Sequence, residues 1–88
     1  MSYEFQSTLF RTQFQMHVAM AESWLCAGGI NDREVMQQFL AEMTDDQLAT
    51  DAEEGWGLAE REDYDRAELI DAFHEIRKDF DAHFPADL

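Results

Sequence analysis

Apolar residues recur along the chain at helical spacing, and the pattern divides it into four segments. Over about residues 4–27 two apolar stripes run side by side. Phe10, Phe14, His17, Val18, Ala21, Trp24 and Leu25 form one, and Phe5, Leu9, Met16 and Met20 form the other. Glu4, Arg11, Gln15 and Glu22 gather on the remaining polar side. A surface helix shows one apolar stripe. The wide arc therefore predicts either a central helix surrounded by the others or one that touches both the core and a second protein molecule. The first is favoured, because apolar helix faces usually mean core. Gly28 and Gly29 end the segment, since glycine accepts the left-handed cap conformation.

The rest of the chain repeats one start signal three times. Asn31 precedes Glu34 by three residues, Thr44 precedes Gln47, and Asp65 precedes Glu68. Such a pair satisfies backbone donors that a helix start leaves orphaned. Ile30 with Val35, Met43 with Leu48 and Tyr64 with Leu69 supply the flanking hydrophobic staples. The second helix, over about 32–43, is expected to bury Val35, Met36, Phe39, Leu40 and Met43. The third, over about 45–54, is sparse, with only Leu48, Ala49 and Ala52 apolar, and Gly55 is expected to stop it before a loop through Glu62. The fourth, over about 66–83, turns Leu69, Ile70, Phe73, Ile76, Phe80 and Phe84 inward and Asp71, Glu75 and Asp79 outward, and Pro85 ends it. There is no strand-like alternation, internal repeat or linker. The fold class is all-α: one domain over residues 1–88, a compact bundle of three to four helices.

Composition adds a constraint. The chain has 88 residues, enough for one modest core, and 45% hydrophobic and 12% aromatic content argue for folding despite a formal charge of -14. Residues 1–41 hold four acids and two bases, whereas residues 42–88 hold sixteen acids and four bases. Charge this lopsided points to a field used in recognition. It argues against direct binding to nucleic acid or an anionic membrane, since phosphate contacts need Lys and Arg and the chain has one lysine, Lys78. Cys26 is the only cysteine, so neither an intrachain disulfide nor a cysteine-based zinc cage can form. With no basic, apolar leader at Met1-Ser2-Tyr3-Glu4, a cytoplasmic location is expected.

Candidate chemistry is thin. Asp71 and His74 have the i, i+3 spacing of bundle metal sites, but no second acid-x-x-His pair exists, and His17 and His83 are explained by helix positions. Asp63 to Glu68 lacks the glycine that a calcium loop needs at its turn. Cys26 falls at a helix C-terminus, where the dipole disfavours a thiolate. Neither a serine elbow nor a phosphate-cradling glycine loop is present. No metal, cofactor or catalytic residue is expected, and the chain does not read as an enzyme.

The acidic surface remains. A solvated face that keeps a small protein soluble is its plainest reading. Two features favour more. The acids outnumber partners such as Glu62–Arg66 and Arg77–Asp81, and like charges stand four apart at Asp71–Glu75 and Glu75–Asp79. Residues four apart rise about 6 Å along a helix, comparable with the spacing of neighbouring phosphates. Trp56, between Gly55 and Gly57, is either folded onto the core or presented to a partner. The candidate partner-binding residues are Glu42, Asp45, Asp46, Asp51, Glu53, Glu54, Trp56, Glu60, Glu62, Asp63, Asp71, Glu75 and Asp79.

In length, charge and lack of a catalytic motif the whole chain resembles, as a class, small acidic proteins that block nucleic-acid-binding machinery. DNA-mimic anti-restriction and anti-CRISPR proteins of phages and plasmids belong to that class, whose members differ in fold. The resemblance is compositional and includes no diagnostic motif. It implies a stoichiometric inhibitor whose acids dock on a basic nucleic-acid-binding protein or ribonucleoprotein complex. The alternative is an acidic adaptor or antitoxin-like module that binds a protein partner through apolar helix faces, with residues 4–27 as the interface and a homodimer as one form of it.

Overall fold

Leu69, Ala72, Phe73 and Ile76 recur at helical spacing and are all fully buried, which makes their helix the one on which the others pack. The computed structural model describes residues 12–26 and 32–85. In chain order these form α1 (Gln13–Cys26), α2 (Arg33–Glu42), α3 (Asp45–Trp56), a 3-10 turn (Leu58–Glu60), α4 (Arg66–Lys78) and the short α5 (Phe80–His83). No strand occurs among the described residues. The protein is an all-α bundle in which α1 and α3 pack against α4 and touch one another.

α1 lays Met16, His17, Met20, Ala21 and Leu25 into the core, so α4 rather than α1 holds the centre. Met16 and Met20, of the second apolar stripe that only the alternative adaptor reading turned toward a partner, are both fully buried. The core needs them because the other helices contribute little bulk. α3 adds Leu48 and two alanines, and α2 adds only Met36 and Leu40. Each fully buried methionine or leucine is worth about 2 kcal/mol of transfer free energy. Phe5, Leu9 and the rest of the predicted helix before Thr12 lie outside the described residues.

Caps set the helix boundaries. Thr44 and Gln47 form the expected reciprocal capping box at α3, and Asp65 accepts the amides of Ala67 and Glu68 at α4. At α2 the cap is Asp32, which accepts the Glu34 amide, and the predicted cap Asn31 lies outside the described residues.

Two boundaries differ from expectation. α3 runs through Gly55 to Trp56, and the left-handed residue that ends it is Gly57, at φ 63°. The predicted 66–83 helix is broken at Asp79, whose ψ of 59° redirects the chain. The break places Phe80 in the core with Phe84 against its ring at 5.3 Å, and Phe84 itself is half-buried.

α2 is rotated differently from its apolar pattern. Val35 and Phe39, expected inside, are 37% and 38% exposed. Arg33 explains the rotation: it donates to the Phe84 carbonyl at 2.7 Å, pairs with Asp81 and lies over the Phe80 ring at 5.1 Å. With Arg33 held against α5, Met36 and Leu40 point inward and the Val35–Phe39 line points out.

Candidate protein-binding surface

Helix packing draws Arg33, Arg61, Arg66 and Arg77 to the protein's own carboxylates, while Lys78 stays exposed. Arg77, in the last turn of α4, donates to Asp45 at 3.0 Å and to the Met43 carbonyl at 2.9 Å, and His74 stands 3.4 Å from the same carboxylate. Arg66, in the first turn of α4, bonds Asp46 at 2.6 Å and Thr50 at 2.9 Å and lies 3.5 Å from Glu53. The Asp46 contact holds its guanidinium above the usual arginine range. Arg61 donates to both oxygens of Asp63, which keeps that carboxyl below its ordinary range. The adjacent i, i+4 pairs suggested by sequence give way to these because α3 brings Asp45, Asp46 and Glu53 alongside α4.

A second group of contacts ties the interior together. His17, fully buried, accepts the Asp65 amide at Nε2 over 2.9 Å and donates from Nδ1 to the Gln13 carbonyl over 2.7 Å, which fixes one neutral tautomer. Tyr64 stacks on the His17 ring at 5.8 Å and donates its hydroxyl to Glu53 at 2.6 Å. Desolvation, then the Glu53 hydrogen bond and charge, push the phenol well above its ordinary value. At the other end of α1, His83 meets Glu22 at 2.6 Å. Cys26 is exposed, and partial desolvation with the Glu22 carboxylate raises its thiol pKa.

The twelve candidate carboxylates therefore fall into two sets, with Trp56 apart from both. Asp45, Asp46, Glu53 and Asp63 are engaged by Arg77, Arg66 and Arg61, and Asp45 and Glu53 are only 21% and 27% exposed. Trp56 is half-buried against the core, with its ring edge-on to Trp24 at 5.0 Å. Glu42, Asp51, Glu54, Glu60, Glu62, Asp71 and Asp79 are exposed, and Glu75 is half-exposed. Asp51 and Glu54 share the outer side of α3, whereas Asp71, Glu75 and Asp79 follow one row along α4 to its end. Among the described residues these carboxylates take part in no ion pair with the protein's own cations.

Sequence reasoning missed one surface feature. Val35, Gln38, Phe39 and Glu42 line a shallow hollow of about 240 Å³ on α2. The signal was available in Arg33, whose contacts set the helix rotation, but nothing local in the sequence names Asp81 or Phe84 as its partners. Among the described residues no group of three or more His, Cys, Asp or Glu side chains could hold a metal ion, and no helix is long and apolar enough to cross a membrane. No family model matches the chain, and no curated protein or solved structure matches it significantly.

Proposed function

We propose that the protein is a stoichiometric inhibitor, in the manner of DNA-mimic anti-restriction or anti-CRISPR proteins, whose acidic surface occupies a Lys/Arg-rich nucleic-acid site on a larger protein or ribonucleoprotein. The observation that carries this reading is the division of the carboxylates. Arg61, Arg66 and Arg77 are drawn to Asp63, Asp46, Glu53 and Asp45, which leaves Asp51 and Glu54 of α3 and Asp71, Glu75 and Asp79 along α4 outside these ion pairs. A surface needing only solubility would gain from mixed charge. Here the exposed Lys78 is set among Asp71, Glu75 and Asp79, so the row stays predominantly negative and keeps the repulsion between Asp71 and Glu75. Such a field accelerates encounter with a basic site and disfavours acidic partners.

The test is capture of a partner from host lysate by tagged protein, washed at low and then high salt, with DNA or RNA added as competitor. Wild-type protein is expected to retain a nucleic-acid-binding complex that competitor and salt both release. Reversing Asp51, Glu54, Asp71 and Asp79 to lysine should abolish retention while leaving the internal pairs of Asp45, Asp46 and Glu53 in place. Retention by the reversed variant, or a partner indifferent to nucleic acid, overturns the proposal.

A further inference from the structure

The exposed face of α2 carries apolar and acidic residues in adjacent rows. Val35 and Phe39 stand four apart, and beside them Glu34, Gln38 and Glu42 follow the same four-residue step, all exposed. Between these rows lies the 240 Å³ hollow bounded by Val35, Gln38, Phe39 and Glu42, with room for a large apolar side chain. The base on α2, Arg33, is turned away to Asp81 and the Phe84 carbonyl, so the ionisable groups of this face are all acids.

We infer that this face docks an amphipathic, cationic segment of a partner protein, one that sets an apolar side chain against Val35 and Phe39 and Lys or Arg residues against Glu34 and Glu42. The choice of occupant follows from charge. A second copy of this chain would bring another formal charge of -14 against the acidic rows. Residues 1–11 offer one base, Arg11, balanced by one acid, Glu4. An apolar segment with basic flanks satisfies both rows, in the helix-in-groove manner. The inference rests on the inhibitor reading and deepens it. The carboxylates of α3 and α4 would supply long-range attraction that salt weakens, while the α2 hollow supplies a short-range apolar contact that salt leaves intact.

Two synthetic helical peptides of equal length and charge separate the contributions. One carries leucine and lysine at helical spacing, and the other carries alanine in place of leucine. Amide chemical shifts of the full-length protein are followed as each is added. The leucine–lysine peptide is expected to shift Val35, Gln38, Phe39 and Glu42, and Phe39→Ser should weaken its binding roughly tenfold. The alanine–lysine peptide should shift Asp51, Glu54 and Asp71 instead and be indifferent to Phe39→Ser. Because Phe39 is exposed, the variant should keep its helical circular dichroism.

If the two peptides bind alike and Phe39→Ser alters neither, the α2 inference fails while the acidic-surface reading stands. If neither peptide shifts the α3 and α4 acids, that reading fails instead. A dimer that Phe39→Ser dissociates in sedimentation, or a change in the amides of residues 1–11 on the same substitution, assigns the face to another occupant and overturns the inference.

Discussion

Asp65 donates its backbone N–H to Nε2 of His17 over 2.9 Å, across 48 residues of sequence. The same Asp65 caps α4 with its side chain, so one residue both starts the central helix and fastens it to α1. His17→Phe conserves the ring contact with Tyr64 but removes the acceptor for the Asp65 amide and the donor to Gln13. A buried group left without its partner costs about 1–3 kcal/mol. Urea denaturation of His17→Phe should show a loss of about 2 kcal/mol. Asp65→Ala should cost about 1 kcal/mol as a lost cap. Because both act on the start of α4, the double variant should lose less than the sum, and strict additivity would show that the two contacts are independent.

Gly55 supplies the second prediction. Exchanging glycine for alanine inside a free helix gains about 1 kcal/mol. Here an added Cβ would lie 2.6 Å from Cη2 and 2.8 Å from Cζ3 of Trp24, and that ring is itself held edge-on by Trp56. Gly55→Ala should therefore lower the thermal midpoint despite the better propensity. In a Trp24→Leu background, where the ring is gone, the same substitution should become neutral or stabilising. Gly57→Ala meets no neighbour but must adopt φ 63°, so it should destabilise in either background.

These two sites mark what local sequence could and could not reveal. The capping box at Thr44 and Gln47 and the Asp65 cap were legible because each is a contact within four residues, and so was the buried row of α4. The continuation of α3 through Gly55 was not. A glycine is read as a stop unless the Trp24 ring against it is known, and that ring comes from another helix. The same limit applied to the acids. Their number and sign were plain, but which were taken up internally depended on α3 lying beside α4, where Arg66 and Arg77 reach back over 20 and 32 residues. Long-range pairing decides which charges are surface, and composition cannot supply it.

Tyr64 gives the protein an alkaline limit. Its phenol pKa is raised above the ordinary value near 10 by desolvation and by the bond to Glu53. The folded state therefore keeps this proton after the unfolded state has begun to lose it. The contribution is complete below about pH 10 and is lost progressively as pH rises toward the folded value. Ultraviolet titration should show one phenol ionising late in the native protein and at an ordinary value in denaturant. In Tyr64→Phe the late step should vanish and stability should fall less steeply above pH 10. An unchanged titration would remove Tyr64 from this role.

The division of carboxylates predicts that stability and binding move in opposite directions. Asp71 and Glu75 face outward four residues apart on α4, and like charges at that spacing cost a helix about 0.3 kcal/mol. Asp71→Asn with Glu75→Gln should therefore raise the thermal midpoint slightly, and salt, which screens the same repulsion, should have less to add in the variant than in wild type. Asp45→Asn should do the reverse, because it strips the carboxylate that meets Arg77 and His74 between α3 and α4. Partner capture measured beside thermal unfolding completes the comparison. The Asp71/Glu75 variant should bind less while being more stable, and Asp45→Asn should bind nearly as well while being less stable. If the outward pair can be neutralised with a gain in stability and no loss of binding, those acids serve solubility, and the inhibitor reading loses the surface on which it stands.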